Sequence, residues 1–297
     1  MDKKGLWLAF GAYFTWGLFP VYWKWLQVVP ALQLLGHRII WSFLLLLAFI
    51  LVTRRWGEFR SLLNGRVLAV YTAAAVLIGV NWLTYVWAVN AGFIVETSLG
   101  YFINPLLSVA LGVVFLRERL RPLQWAPILM AAAGVTYLTV SYGSLPWIAL
   151  TLAFSFAIYG LVKKTAPLGA LYGLTLETGL LFLPAVAFLA FEQAAGGGAF
   201  LHNGLLTDGL LVGAGLVTTI PLLMFASAAQ RIPLSMIGLM QYLAPTLQFS
   251  LGVLVYHEPF DQHRLVGFGI VWAALIFFWG EGFFANRRLA TEIPSAD

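Results

Sequence analysis

Two adjacent side chains able to carry charge, His37 and Arg38, stand in "LLGHRIIWSFLLLL" (34 to 47), a run otherwise suited to hydrocarbon. Gln33, His37, Arg38, Trp41 and Ser42 recur at helical spacing and share one broad face, opposite a face of Leu and Ile. A charge at that depth costs at least ~2.5 kcal/mol even on the lenient insertion scale, so such residues pair with one another or mark a substrate or ion path. Glu177, in "YGLTLETGLLFLP", is a second charge near mid-membrane, flanked by Thr175 and Thr178 and followed by Pro184. An acid on one span and a basic pair on another can neutralise each other across a cavity. Arg38 is therefore expected to depend on Glu177, with His37 as the substitute partner, and both basic residues are expected to face a watery path. Glu177, His37 and Arg38 are also the candidates for proton or charge coupling, and snorkelling of Arg38 to the near surface is the alternative.

Two further spans carry polar faces. Tyr101, Pro105, Ser108 and Gly112 follow one another at +4, +3 and +4, and Gln241, Pro245, Gln248 and Gly252 repeat the spacing. A proline within a helix frees the carbonyl four residues earlier, here of Tyr101 and Gln241, and in hydrocarbon that carbonyl needs another partner. Pro105 and Pro245 are thus expected kinks, while Gly112 and Gly252 suit close helix packing. The expected substrate cavity is lined by Trp16, His37, Arg38, Asn81, Tyr85, Tyr101, Gln241 and Gln248, with Tyr13 and Thr84 at similar depth. The cluster "HEPFDQH" (257 to 263) has metal-binding residue types but no flanking ligand motif, and reads as a turn. No metal, no cofactor and no catalytic residue is expected. The chain has no cysteine, which excludes disulfides and thiolate chemistry.

The elements that must position these residues are membrane spans. Of 297 residues 61% are hydrophobic and 10% charged, against about 25% charged in soluble domains. Ten apolar stretches long enough to cross the bilayer lie near residues 5–26, 31–53, 68–90, 94–116, 122–140, 145–163, 168–191, 205–229, 233–256 and 264–284. The connections are too short to fold as domains, and the basic start lacks the cleavage pattern of a removable signal peptide. Threading ten spans puts 14 of the 17 Lys and Arg residues on one side, from Lys3 and Lys4 through Lys163 and Lys164 to Arg288, so both termini are expected in the cytoplasm. The net charge of +5 follows from that placement and calls for no nucleic acid.

"LGYFINPLLSVALGVVFLRE" (99 to 118) aligns with "LMQYLAPTLQFSLGVLVYHE" (239 to 258) at an offset of 140, matching proline, glycine and glutamate as well as leucine. Each copy would hold five spans, an odd number, so the second would cross the membrane in the opposite sense. Inverted repeats of this kind build secondary transporters whose site lies near the midplane where the copies meet. The expected fold is an all-α polytopic membrane protein of ten transmembrane helices. Residues 1–143 form the first repeat, 144–286 the second and 287–297 a cytoplasmic tail.

"GHRIIWS", "ETSLGYFINPLLSVALGVVFLRERL" and "TTIPLLMFASAAQRIPLSMIGLMQYLAPTLQF" resemble the RarD branch of the EamA family, in the drug/metabolite transporter superfamily. The resemblance implies two inverted five-helix EamA repeats around a central cavity, in a secondary carrier of the bacterial inner membrane. Its relatives export amino acids or other small metabolites, so export is the expected direction, with lipid and a small-molecule substrate as partners and a monomer or weak dimer as the assembly. A passive channel or a structural scaffold is the rival reading. An intramembrane enzyme fits less well, because one acid facing one basic pair supplies neither paired acids nor a nucleophile with its base.

Overall fold

The computed structural model describes residues 2–91, 93–142 and 146–256, and scattered helical positions between 266 and 280. The described residues are helical, with no strand among them. In chain order the helices are α1 (Lys3–Lys24), α2 (Ala31–Val52), the short α3 (Trp56–Ser61), α4 (Gly65–Asn90), α5 (Ile94–Phe115), α6 (Trp125–Tyr142), α7 (Trp147–Thr165), α8 (Ala170–Ala194), α9 (Leu205–Ala229), α10 (Leu234–Gln241) and α11 (Leu243–Ser250). Among the described residues six helices are long and apolar enough to cross a membrane, the last running from Leu234 through α10, α11 and a π turn to Val255. The span expected at 264–284 and the cluster at 257–263 lie largely or wholly outside the described residues. α3 lies in the connection between the second and third expected spans.

Large apolar side chains cover the outside, as on Leu183, Leu216, Ile220 and Val114, and a helix apolar on every side belongs in lipid or a large core. The inward faces are built from small residues that let backbones approach. A Cβ at Gly215 of α9 would lie 2.6 Å from the Trp41 carbonyl carbon of α2, and at the same crossing Ser42 donates to the Gly215 carbonyl at 3.1 Å. Close packing of this kind holds membrane helices together where lipid removes the hydrophobic drive.

The principal core joins Ala9, Ala12 and Tyr13 of α1 to Ile78 of α4, Tyr159 of α7, Phe225 of α9 and Ile237 of α10. Helix ends are tied with equal economy. Asp2 caps α1 by accepting from the amides of Lys4 at 2.8 Å and Gly5 at 3.2 Å, and the Gly5 amide, reinforced by Arg231, holds its carboxyl below the usual range.

Proline acts differently in the two aligned spans. α5 runs unbroken through Pro105, whereas the ninth span breaks at Tyr242, between α10 and α11 and three residues before Pro245. The Tyr242 hydroxyl donates to the Phe102 carbonyl at 3.2 Å and anchors the break to α5.

Replacing Gly215 by valine forces side-chain atoms into the α2 backbone, and overpacking of this kind costs about 1–3 kcal/mol. A lowered melting temperature in detergent is expected, with Gly57→Ala, where a Cβ meets nothing within 4 Å, as the silent control.

Candidate functional site

A cavity of about 160 Å³ lies among the helices, room for several waters or a small solute at ~10–15 Å³ per water. Its walls come from Tyr13 to Trp23 of α1, Arg38 of α2, Asn81, Trp82 and Tyr85 of α4, Tyr101 and Asn104 of α5, Phe156 of α7, and Gln241, Pro245 and Gln248 of α10 and α11. Tyr13 and Phe156 stand at the middle of α1 and α7, and the other positions on α1, α2, α4 and α5 fall in the later half of α1 and α4 and the earlier half of α2 and α5. The cavity thus occupies the half of the protein away from the N-terminus of α1.

The structure brings together Trp16, Arg38, Asn81, Tyr85, Tyr101, Gln241 and Gln248. His37 is not in the cavity wall; it is buried with its ring 5.1 Å from that of Phe200, in the connection between α8 and α9. Pro245 lines the cavity, while Pro105 packs against Gly238, where a Cβ would sit 2.6 Å from the Pro105 carbonyl oxygen.

Several polar groups around the cavity serve as ties. Pro20 supplies no N–H to the Trp16 carbonyl one turn earlier, and Gln248 Nε2 donates to that carbonyl at 3.0 Å instead. Asn81 Nδ2 donates to the Leu152 carbonyl at 2.9 Å and to Ser155 Oγ at 3.0 Å, joining α4 to α7. The Tyr13 hydroxyl and Gln241 Oε1 are buried without a hydrogen-bond partner. Such groups require water or a solute.

Arg38 Nε donates to Thr218 Oγ1 of α9 at 3.0 Å, and its guanidinium lies 4.9 Å from the Trp23 ring and 5.0 Å from the Trp82 ring. Among the described residues no carboxylate pairs with it. α9 runs antiparallel to α1, since Gly5 packs on Ile232 and the Tyr22 hydroxyl reaches the Leu210 carbonyl. α2 therefore runs parallel to α9. With Ser42 level with Gly215, Thr218 lies deeper than the Arg38 backbone. The side chain reaches inward, which excludes snorkelling to the near surface.

The expected pairing of Arg38 with Glu177 is not what the fold contains. Glu177 Oε1 accepts from Lys163 Nζ at 2.7 Å and Oε2 from the Tyr159 hydroxyl at 2.9 Å, and both charged side chains are 1% exposed. Lys163, counted from sequence among the cations of the cytoplasmic side, is buried against the Tyr71 and Tyr159 rings at 5.5 and 5.7 Å. The physical reason is proximity: α7 and α8 are joined by four residues, so the charges near their adjoining ends meet directly. Ser155, Tyr159 and Lys163 stand four residues apart, a polar stripe on one face of α7 that the sequence displays. No comparable signal singles out Thr218, Trp23 or Trp82.

The half of the protein opposite the cavity is sealed. Arg117, in the left-handed region at φ 54°, turns the chain after α5 so that the Glu118 amide donates to the Gly112 carbonyl at 3.0 Å. The Glu118 carboxylate then accepts from the Leu234 amide at 2.6 Å, the Ser235 amide at 2.9 Å and the Ser235 hydroxyl at 2.6 Å, capping α10. Gly112 makes room, for a Cβ there would meet Glu118 Oε2 at 2.6 Å. Lys164 Nζ donates to the Ile232 carbonyl at 2.6 Å on the same side.

Removing either Lys163 or Glu177 strands the other, at ~3–5 kcal/mol, whereas replacing both by neutral residues costs much less than the sum. Thermal melts of Lys163→Met, Glu177→Gln and the double variant should therefore show strong coupling. The same cycle for Arg38 and Glu177 should be additive.

Residues 3–140 match the EamA-like transporter family. Protein RarD of Streptomyces exfoliatus is 46% identical over 99% of this chain and 94% of its own length. The uncharacterized transporter YojE of Bacillus subtilis (strain 168) is 46% identical over 93% of each chain, and protein RarD of Escherichia coli (strain K12) 42% identical over 96% and 97%. One crystal structure shares the fold with a TM-score of 0.68 at 17% identity, covering 94% of this chain and 98% of that one. With its apolar helices and near full-length relatives, the chain is a multi-pass membrane transporter protein that belongs to the RarD branch of the EamA family, in the drug/metabolite transporter superfamily.

Proposed function

We propose that the protein is a secondary carrier of the bacterial inner membrane. It exports a small metabolite or drug-like molecule by alternating access, as a monomer or weak dimer with both termini in the cytoplasm. In this reading ten spans form two inverted five-helix repeats, 1–143 and 144–286, followed by a tail at 287–297. The observation that carries it is the cavity itself, solute-sized, with open polar groups in its wall, walled by helices of both repeats and sealed by described residues on the side of the α1 N-terminus.

The packing supports the inverted arrangement. An offset of 140 carries Gly65, where α4 starts, onto Leu205, where α9 starts, and Ile94 of α5 onto Leu234 of α10. The same shift exchanges helix pairs. α5 packs on α7 as α1 packs on α10 and α11, α2 on α9 as α8 on α4, and α1 on α9 as α7 on α4. The pairs α2 with α8 and α5 with α10 map onto themselves, and so lie across the pseudo-twofold axis. Phe102 and Tyr242, joined by a hydrogen bond, are themselves 140 residues apart. A rocking of one repeat against the other about that axis would open the sealed side as the cavity side closes.

Purified protein in proteoliposomes, challenged with a metabolite panel with and without a pH gradient, should give saturable counterflow. Flux that never saturates would indicate a channel, and no flux for any solute a scaffold. The absence of native cysteine permits a second measurement. In a Tyr85→Cys background, labelling by an impermeant thiol reagent from the side away from the termini should fall when Glu118→Gln weakens the cap on α10. Each hydrogen bond to a charged group contributes about 1.5–3 kcal/mol, enough to shift the population of open states. Unchanged labelling would mean that the cap plays no part in the alternation.

A further inference from the structure

Arg38 is the one charged side chain among the described residues that line the cavity, and among the described residues no carboxylate pairs with it. The buried cation Lys163, by contrast, has the Glu177 carboxylate at 2.7 Å. Guanidinium is planar, stays protonated and presents five N–H donors in a fork that matches two oxygens of one anion. Thr218 takes only the Nε donor, so the paired terminal nitrogens are left to the cavity. Trp23 and Trp82 flank the group on their ring faces, which holds it in place and keeps competing water away.

The rest of the wall defines the body that would accompany such an anion. Trp16 and Phe156 meet edge to face at 5.9 Å, and Tyr85 meets Tyr101 in the same way at 5.9 Å, giving flat apolar surfaces. The unpartnered Tyr13 hydroxyl and Gln241 Oε1 provide a donor and acceptors for a hydroxyl on the solute. One cation matches one negative charge, so a phosphate dianion would leave charge uncompensated, and a substrate ammonium would find no carboxylate among the described residues of the wall.

Resting on the transporter reading above, the geometry points to small aromatic monocarboxylates, with Arg38 as the anion anchor, as the solutes of this cavity. Binding supplies a counter-charge to Arg38. Arg38 is accordingly a binding residue held at a cost to stability, a relation common at functional sites.

The test uses the whole protein in detergent and three probes with the same ring and hydroxyl: 4-hydroxybenzoate, 4-hydroxybenzamide and 4-hydroxybenzylamine. Calorimetric titration should detect the carboxylate at least tenfold more tightly than the neutral amide or the amine, and Arg38→Gln should abolish that preference. Arg38→Lys keeps the charge but not the fork, and should weaken the carboxylate without reversing the order. Melting curves separate binding from structure. Arg38→Gln should melt at or above the parent temperature while losing the upward shift that 4-hydroxybenzoate gives the parent. A lower melting temperature with the ligand shift retained would make Arg38 a structural group and overturn the proposal. So would equal protection by formate, which carries no ring, or tighter binding of the amine or amide. Carboxylate binding without counterflow in proteoliposomes would uphold the anion site and remove the transport reading. Saturable counterflow confined to neutral or cationic solutes would do the reverse.

Discussion

Inside a bundle of apolar helices, a polar group can be answered only by other protein groups or by something admitted from outside, because lipid offers it nothing. This constraint accounts for most of the polar architecture described above. Gln248 replaces the hydrogen bond that Pro20 denies to the Trp16 carbonyl. Asn81 ties two helices through Leu152 and Ser155. Lys163 and Glu177 answer one another with Tyr159 as third member. Of the buried groups left without a partner, Trp41 Nε1, the Tyr172 hydroxyl and Thr219 Oγ1 lie away from the cavity, whereas the Tyr13 hydroxyl and Gln241 Oε1 line it together with Arg38, which no described carboxylate pairs. Satisfied groups build the scaffold, and the unsatisfied ones in the cavity wall are open to a solute or water.

The same economy separates the two halves of the molecule. On the side of the α1 N-terminus, the Glu118 cap, the Lys164 bond to Ile232 and the plug of Tyr13, Ile78, Tyr159, Phe225 and Ile237 close the bundle. On the other side aromatic side chains stand apart and leave room. The Glu118 part of this closure is made of charge-assisted hydrogen bonds onto a helix N-terminus, distinct from the packed apolar core beside it.

Helical periods and hydropathy made the elements legible, because a span must be about 20 apolar residues long whatever it packs against. The stretch read at 31–53 is helix Ala31–Val52, and that at 205–229 is Leu205–Ala229. Residue type and depth also singled out Trp16, Arg38, Asn81, Tyr85, Tyr101, Gln241 and Gln248, which do share one cavity, since a polar residue on an inward helical face has few other places to go. Partner choice was not legible. Depth along a helix is a one-dimensional quantity, and Arg38, His37, Lys163 and Glu177 could be ranked by it but not paired. Rotation and crossing of the helices turned His37 toward Phe200, took Arg38 inward to Thr218 and two tryptophans, and brought Lys163 to Glu177 across a short turn. The sequence by itself determined which groups had to be kept from lipid; only tertiary packing decided which of them answer each other and which are left for a solute, because that depends on contacts between segments far apart in the chain.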